Sequence, residues 1–145
     1  MNKSWIANGF TAANALFGGL SIMMSISGEY HVAAICILIA MAADAFDGRV
    51  ARALGTAGPM GVELDSLSDD ISFGVAAGAL IYSYQLRELG AFGFISCALL
   101  GAFCAFRLAR FNVKVTSVHG YFEGLPCPTV GVVIACYVLS GVKIW

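Results

Sequence analysis

Long apolar runs separated by short polar turns set the pattern of this chain. The first run extends from about Asn8 to Ser27 and ends in SGEYH. The second starts near His31 and continues past its apolar part into DAFDGRVARAL, where the Gly and Pro of GTAGPMG break it. The third covers about Gly61 to Tyr84, has acidic first turns, and closes at QLRELG, read as a turn. The fourth covers about Ala91 to Asn112, and the polar stretch VKVTSVHGYFEG leads to a fifth from about Pro128 to Ile144. A helix needs roughly 20 apolar residues to cross about 30 Å of hydrocarbon. Strand alternation is missing from these runs, and a segment in lipid must satisfy its own backbone groups. The pattern therefore predicts an all-α integral membrane bundle with about five spans. No internal repeat or low-complexity segment divides it, so residues 1–145 read as a single domain.

Composition sharpens this. Of the 145 residues, 59% are hydrophobic and only 12% are charged, against about 25% charged in a soluble domain. The 17 glycines suit helices that pack closely in lipid. No basic stripe points to nucleic acid. The start, with Lys3 ahead of an apolar run, resembles a signal peptide. Several spans follow it, however, and it carries Asn8, Thr11 and Asn14, so it reads as a retained first span. The five cysteines have no CxxC spacing and read as small buried hydrophobes. With the N-terminus inside, Lys3, Arg49, Arg52, Arg107, Arg110 and Lys114 face the cytoplasm, and only Arg87 and Lys143 face out. That orientation opens the acidic region to the cytoplasm and suits a multi-pass protein of the cell (inner, cytoplasmic) membrane.

Charge is concentrated in DAFDGRVARALGTAGPMGVELDSLSD, residues 44–69. Asp44 and Asp47 are three apart on the second helix, and Asp65 and Asp69 are four apart on the third, so each pair shares a face. The short Gly/Pro break folds the two helices back on each other and can bring the pairs together. Converging carboxylates repel unless cations sit among them, and oxygen-only ligands favour Mg²⁺, Mn²⁺ or Ca²⁺ over Zn²⁺. Gly48 and Ala51 lie on the same side with almost no side chain, and Arg52 follows one turn later. Metal, guanidinium and a small-residue floor suit a pyrophosphate. The bland alternative is a solvated helix end. A rival of another class is a small cation channel or carrier using the carboxylates as a relay.

The same stretch resembles the signature of the CDP-alcohol phosphotransferase family, D-x2-D-G-x2-A-R-x8-G-x3-D-x3-D. All eight fixed positions match: Asp44, Asp47, Gly48, Ala51, Arg52, Gly61, Asp65 and Asp69. NGFTAANALFGG, ELDSLSDDISFGVA, FRLARFNV and GLPCP spread the likeness over most of the chain, toward a membrane-integral branch that uses serine. The resemblance implies that Asp44, Asp47 and Asp65 bind two divalent ions, Mg²⁺ or Mn²⁺. It makes Asp69 the general base, with a share in metal binding. Gly48, Ala51 and Arg52 then contact the CDP-lipid, with Thr56, Gly61, Asn8 and Thr11 as further candidates. The implied reaction moves the phosphatidyl group of CDP-diacylglycerol to the hydroxyl of L-serine and releases CMP. A homodimer is implied in the same way.

Serine needs partners for its carboxylate and its ammonium. Arg107, Arg110 and Asn112 are the candidates for the first, and Glu63 and Asp70 for the second, although Asp70 lies beyond the motif and can be read as solvated. Positive-inside anchoring is the alternative role of the arginines. His31 and His119 are read as loop residues without a catalytic part. Other acceptors (glycerol phosphate, inositol phosphate or inositol) and an archaeal ether CDP-lipid remain open. Relatives often carry Pro-Asn where this chain has Ala7-Asn8. The family fold has six or more membrane helices, so this is either a short member or one whose C-terminal helices are missing.

Overall fold

The computed structural model describes residues 4–54, 58–115 and 127–143, with side chains from Asn8 onward except at 51, 52, 54, 114 and 115. The helices are α1 (Ser4–Ile26), α2 (Tyr30–Leu54), α3 (Pro59–Asp69), α4 (Ala76–Tyr84), α5 (Ala91–Val115) and α6 (Cys127–Leu139). A π-helical segment, Asp70–Val75, joins α3 to α4, and one 3₁₀ turn, Leu86–Leu89, follows α4. Among the described residues there is no strand.

Boundaries follow local chemistry. Gly28 adopts φ +85 between α1 and α2, a left-handed helix stop that other residues enter at a cost. Pro59 begins α3, where its missing N–H costs nothing. The third helix therefore starts inside the stretch read as a break. The expected QLRELG turn is a short 3₁₀ helix. The fifth segment ends at Leu139 rather than near Ile144, because Ser140 and Gly141 turn, with Gly141 at φ +69. His31 lies in the first turn of α2, not in a loop. Asn8–Ile26, Tyr30–Val50 and Ala91–Val113 are long and apolar enough to cross a membrane. The 13 residues of α6 give only about 20 Å of helix.

The rod α3–π–α4 is continuous, since Asp69, Asp70 and Ala76 all keep right-handed helical dihedrals. Within it the Ala76 N–H bonds to the Ile71 carbonyl, five residues back. The wide turn inserts one extra residue, so Asp69 and the face of α4 are rotated relative to an ideal helix.

This rod packs against α1, α5 and α6, and α2 closes on α1 and α6. Small residues allow the close approach. A Cβ on Gly78 would lie 2.8 Å from the Cys97 carbonyl oxygen, and one on Gly131 would lie 2.7 Å from Phe73 Cδ1. Phe73 anchors a core of Ala33, Ile37, Ala77, Leu80 and Val138. On α1 the buried stripe is polar: Thr11, Asn14, Ser21 and Ser25 face inward, and Leu16, Met23 and Ile26 face outward. Ser21 donates to the Ala33 carbonyl at 2.9 Å, and Ser72 to the Asn14 carbonyl at 2.9 Å. Phe92, Phe103 and Phe106 are largely exposed on α5. An apolar surface around a polar interior suits lipid, where helices associate through packing and hydrogen bonds rather than by hiding from solvent.

Candidate metal and phosphoryl-transfer site

The acidic site forms where the C-terminal half of α2 meets α3. Carboxylate oxygens of Asp44, Asp65 and Asp69 lie within 4.8 Å of one another. Asp44 and Asp65 are half-buried, and Asp69 is nearly enclosed at 8% exposure. Asp44 sits within hydrogen-bond reach of both Asp65 and Asp69. Carboxylates this close must share a proton or a cation. Oxygens bound to one hard divalent ion at about 2.0–2.6 Å lie at most about 4–5 Å apart, so this donor set fits such an ion.

Asp47 stands apart from the other three. It is buried, and its Oδ2 accepts a hydrogen bond from the Thr11 hydroxyl on α1. It remains near enough to raise the repulsion at Asp44 and Asp65. The four-carboxylate expectation thus becomes a set of three with a fourth anchored to α1. Asn14 is fully buried and donates from Nδ2 to Asp69 Oδ1 at 3.1 Å. Because a carboxylate takes the amide N–H, Asn14 Oδ1 is left without a partner among the described residues. Asn8 faces Gly61, since a Cβ placed there would lie 3.9 Å from Asn8 Oδ1. Gly48 is exposed beside Asp47, and Gly61 is half-buried on α3. Ala51 and Arg52 continue α2, their side chains outside the described residues, and Thr56, Lys3 and His119 also lie outside them.

The acceptor candidates separate. Arg107 is half-buried, and its Nη1 donates to Cys127 Sγ at 3.4 Å. Arg110, one turn later, is exposed. Asn112 donates to the Ser66 hydroxyl at 2.9 Å, tying α5 to α3 between Asp65 and Asp69. Glu63 is exposed. Asp70, a candidate ammonium contact with solvation as its alternative, is half-buried. It accepts from the Cys104 thiol and keeps a buried Oδ1 without a partner among the described residues. Sequence reasoning missed this Asp70–Cys104–Cys127–Arg107 chain, because its members are remote in sequence and the π turn decides where Asp70 points. All described cysteines are free; Cys36, Cys104 and Cys127 are buried, whereas Cys97 is half-buried and Cys136 exposed, so the expectation of small buried hydrophobes holds only in part.

With fold and site in view, the comparisons agree. Residues 4–145 match the family model for CDP-alcohol phosphatidyltransferase, and the chain belongs to that family. It is thus a multi-pass, membrane-integral helical bundle. It is 38% identical over 133 residues to a CDP-diacylglycerol–serine O-phosphatidyltransferase of Helicobacter pylori, covering 91% of this chain and 56% of the relative. It is 42% identical over 133 residues to an archaetidylserine synthase of Methanothermobacter thermautotrophicus, covering 88% and 55%. A CDP-diacylglycerol–serine O-phosphatidyltransferase of Bacillus subtilis is 38% identical over 122 residues, covering 83% and 68%. The chain therefore spans little more than half the length of the first two. No solved structure matches it.

Proposed function

We propose that this chain transfers the phosphatidyl group of CDP-diacylglycerol to the hydroxyl of L-serine, giving phosphatidylserine and CMP. One observation carries the reading: Asp44, Asp65 and Asp69 meet within 4.8 Å on two helices that hold every fixed position of the family signature. In the proposal Asp44, Asp65 and Asp69 form the inner donor set for the divalent ions, Mg²⁺ or Mn²⁺, and Asp47 completes it from beside them. When bound, these ions supply charge neutralisation at the diphosphate and ease the departure of CMP. Thr11 fixes Asp47 by occupying one of its oxygens. Asn14 does the same for Asp69, which takes the proton of the serine hydroxyl as general base. Gly48, Ala51, Arg52, Thr56, Gly61 and Asn8 receive the CDP part of the lipid.

Arg107 serves the serine carboxylate, and Asp70, with its unpartnered buried oxygen, serves the ammonium. Asn112, held by Ser66, completes the acceptor side, and Arg110 lies at its exposed rim with little share in binding. The relatives named for serine act on different lipid types, which favours serine as the shared acceptor and leaves the diacyl lipid as the finer assignment. The site opens to the cytoplasm in this reading, since Arg49 lies late in α2 and Arg107 and Arg110 late in α5, on the side assigned to the cytoplasm by loop charge. Residues 1–145 act as one domain, and a homodimer follows from family likeness.

The test is CMP release by purified protein with CDP-diacylglycerol, Mn²⁺ and a panel of labelled alcohols. Serine should give most of the product. Equal CMP with inositol or glycerol phosphate would overturn the acceptor. Ion flux across liposomes without CMP release would favour the channel reading.

A further inference from the structure

A second polar site lies at the other end of the bundle. A cavity of about 420 Å³ is lined by Tyr30, Ser83, Tyr84, Gln85, Arg87, Glu88 and Lys143. Tyr30 opens α2 fourteen residues before Asp44, which puts this cavity roughly 20 Å along the helix from the acidic site. It shares no residue with the signature.

The cavity has a fixed wall. Tyr84 packs edge-on against Tyr30 at 5.6 Å and against Tyr137 at 6.1 Å between ring centroids. The Lys143 ammonium sits 5.2 Å from the Tyr84 ring centre. Gln85 is only 7% exposed, and its Oε1 accepts from the Tyr137 hydroxyl. The phenol proton takes the carbonyl end of the amide, so Nε2 is left as a buried donor. It has no partner among the described residues. A buried amide without an acceptor is costly unless a ligand supplies one.

The charges name the ligand class. Arg87 and Lys143 are exposed cations at the cavity, with one acid, Glu88, beside them. Two cations and a residue with a buried, unpartnered N–H line one cavity, a set that suits an anionic oxygen group, and a phosphodiester offers the required acceptors. Tyrosines at helix ends mark the level of a membrane interface. Val32, Leu89, Phe92 and Val142 are exposed around the same end, where acyl chains would lie. We propose that this cavity binds the phosphodiester headgroup of an anionic phospholipid in the leaflet opposite the acidic site. It is a lipid-binding site separate from the CDP-lipid site, and it does not depend on the serine assignment.

The experiment uses delipidated protein in uncharged detergent and follows thermal unfolding. Phosphatidylglycerol in mixed micelles at about a hundred times its Kd should raise Tm by about 5–10 °C. Inorganic phosphate and phosphate-free diacylglycerol should not. Arg87→Ala with Lys143→Ala should lose the rise, and Gln85→Met should weaken binding at least about tenfold. An equal rise in wild type and the double variant, or none in wild type, overturns the site. A full rise with inorganic phosphate overturns the lipid source. Photo-crosslinking of wild type with a headgroup-reactive phospholipid needs no folded variant. Label on Ser83–Glu88 supports the site, and label only elsewhere refutes it.

Discussion

Asn14 on α1 donates to Asp69 Oδ1 at 3.1 Å, joining two residues far apart in sequence at the centre of the acidic site. The bond leaves the carboxylate with one oxygen engaged, a useful state for the general base proposed here. Asn14→Leu removes the donor with little change in volume. A hydrogen bond to a charged group contributes about 1.5–3 kcal/mol, so kcat for CMP release should fall about 10–100-fold. Initial rates at saturating CDP-lipid and serine would check this. A kcat within about twofold of wild type would show that Asp69 is oriented by other groups.

Thr11 and Asp47 form a second such pair, from α1 to α2. If Asp47 helps to hold metal, Thr11 acts through it. Thr11→Val should raise the half-saturating Mn²⁺ concentration about tenfold or more, as loss of a group supporting a metal ligand does. Combining it with Asp47→Asn should add little, because both changes break one interaction. Asp44→Ala or Asp65→Ala should abolish activity, and chelation should abolish it reversibly in wild type. Additive effects in the double variant would separate Thr11 from the metal set.

Packing makes a different prediction. Gly131→Ala puts a methyl 2.7 Å from Phe73 Cδ1, and Gly78→Ala puts one 2.8 Å from a backbone oxygen of α5. Overpacking costs about 1–3 kcal/mol, and each kcal/mol lowers Tm by a few degrees, about 2–8 °C depending on size. Gly19→Ala meets nothing within 4 Å and should leave Tm unchanged or slightly higher. Thermal unfolding in one detergent compares all three. Equal Tm values would show that the helices can move apart freely.

Arg107 and Arg110 are neighbours in sequence but differ in surroundings. Arg107→Ala should raise the serine KM about tenfold or more and leave the CDP-lipid KM nearly unchanged, since a half-buried guanidinium is a strong carboxylate partner. Arg110→Ala, at an exposed position, should change serine KM by about twofold or less. The reverse order would move the acceptor site outward along α5.

The sequence by itself determined the membrane class, the approximate helices and the pairing of carboxylates by face. Each depends on spacing along one element: apolar run length, three- and four-residue offsets, and Gly or Pro between them. The tertiary structure decided which of those faces meet. It brought Asp44, Asp65 and Asp69 together and turned Asp47 onto Thr11. It also put Asn14 against Asp69, a contact that the spacing along α1 alone does not show. The π turn after Asp69 was illegible, because one extra residue in a turn barely alters apolar periodicity. It nevertheless rotates Asp70 toward Cys104. The cavity beside Gln85 was equally hidden. Its lining comes from α2, α4, the 3₁₀ turn and the segment after α6, and only their packing makes it a site.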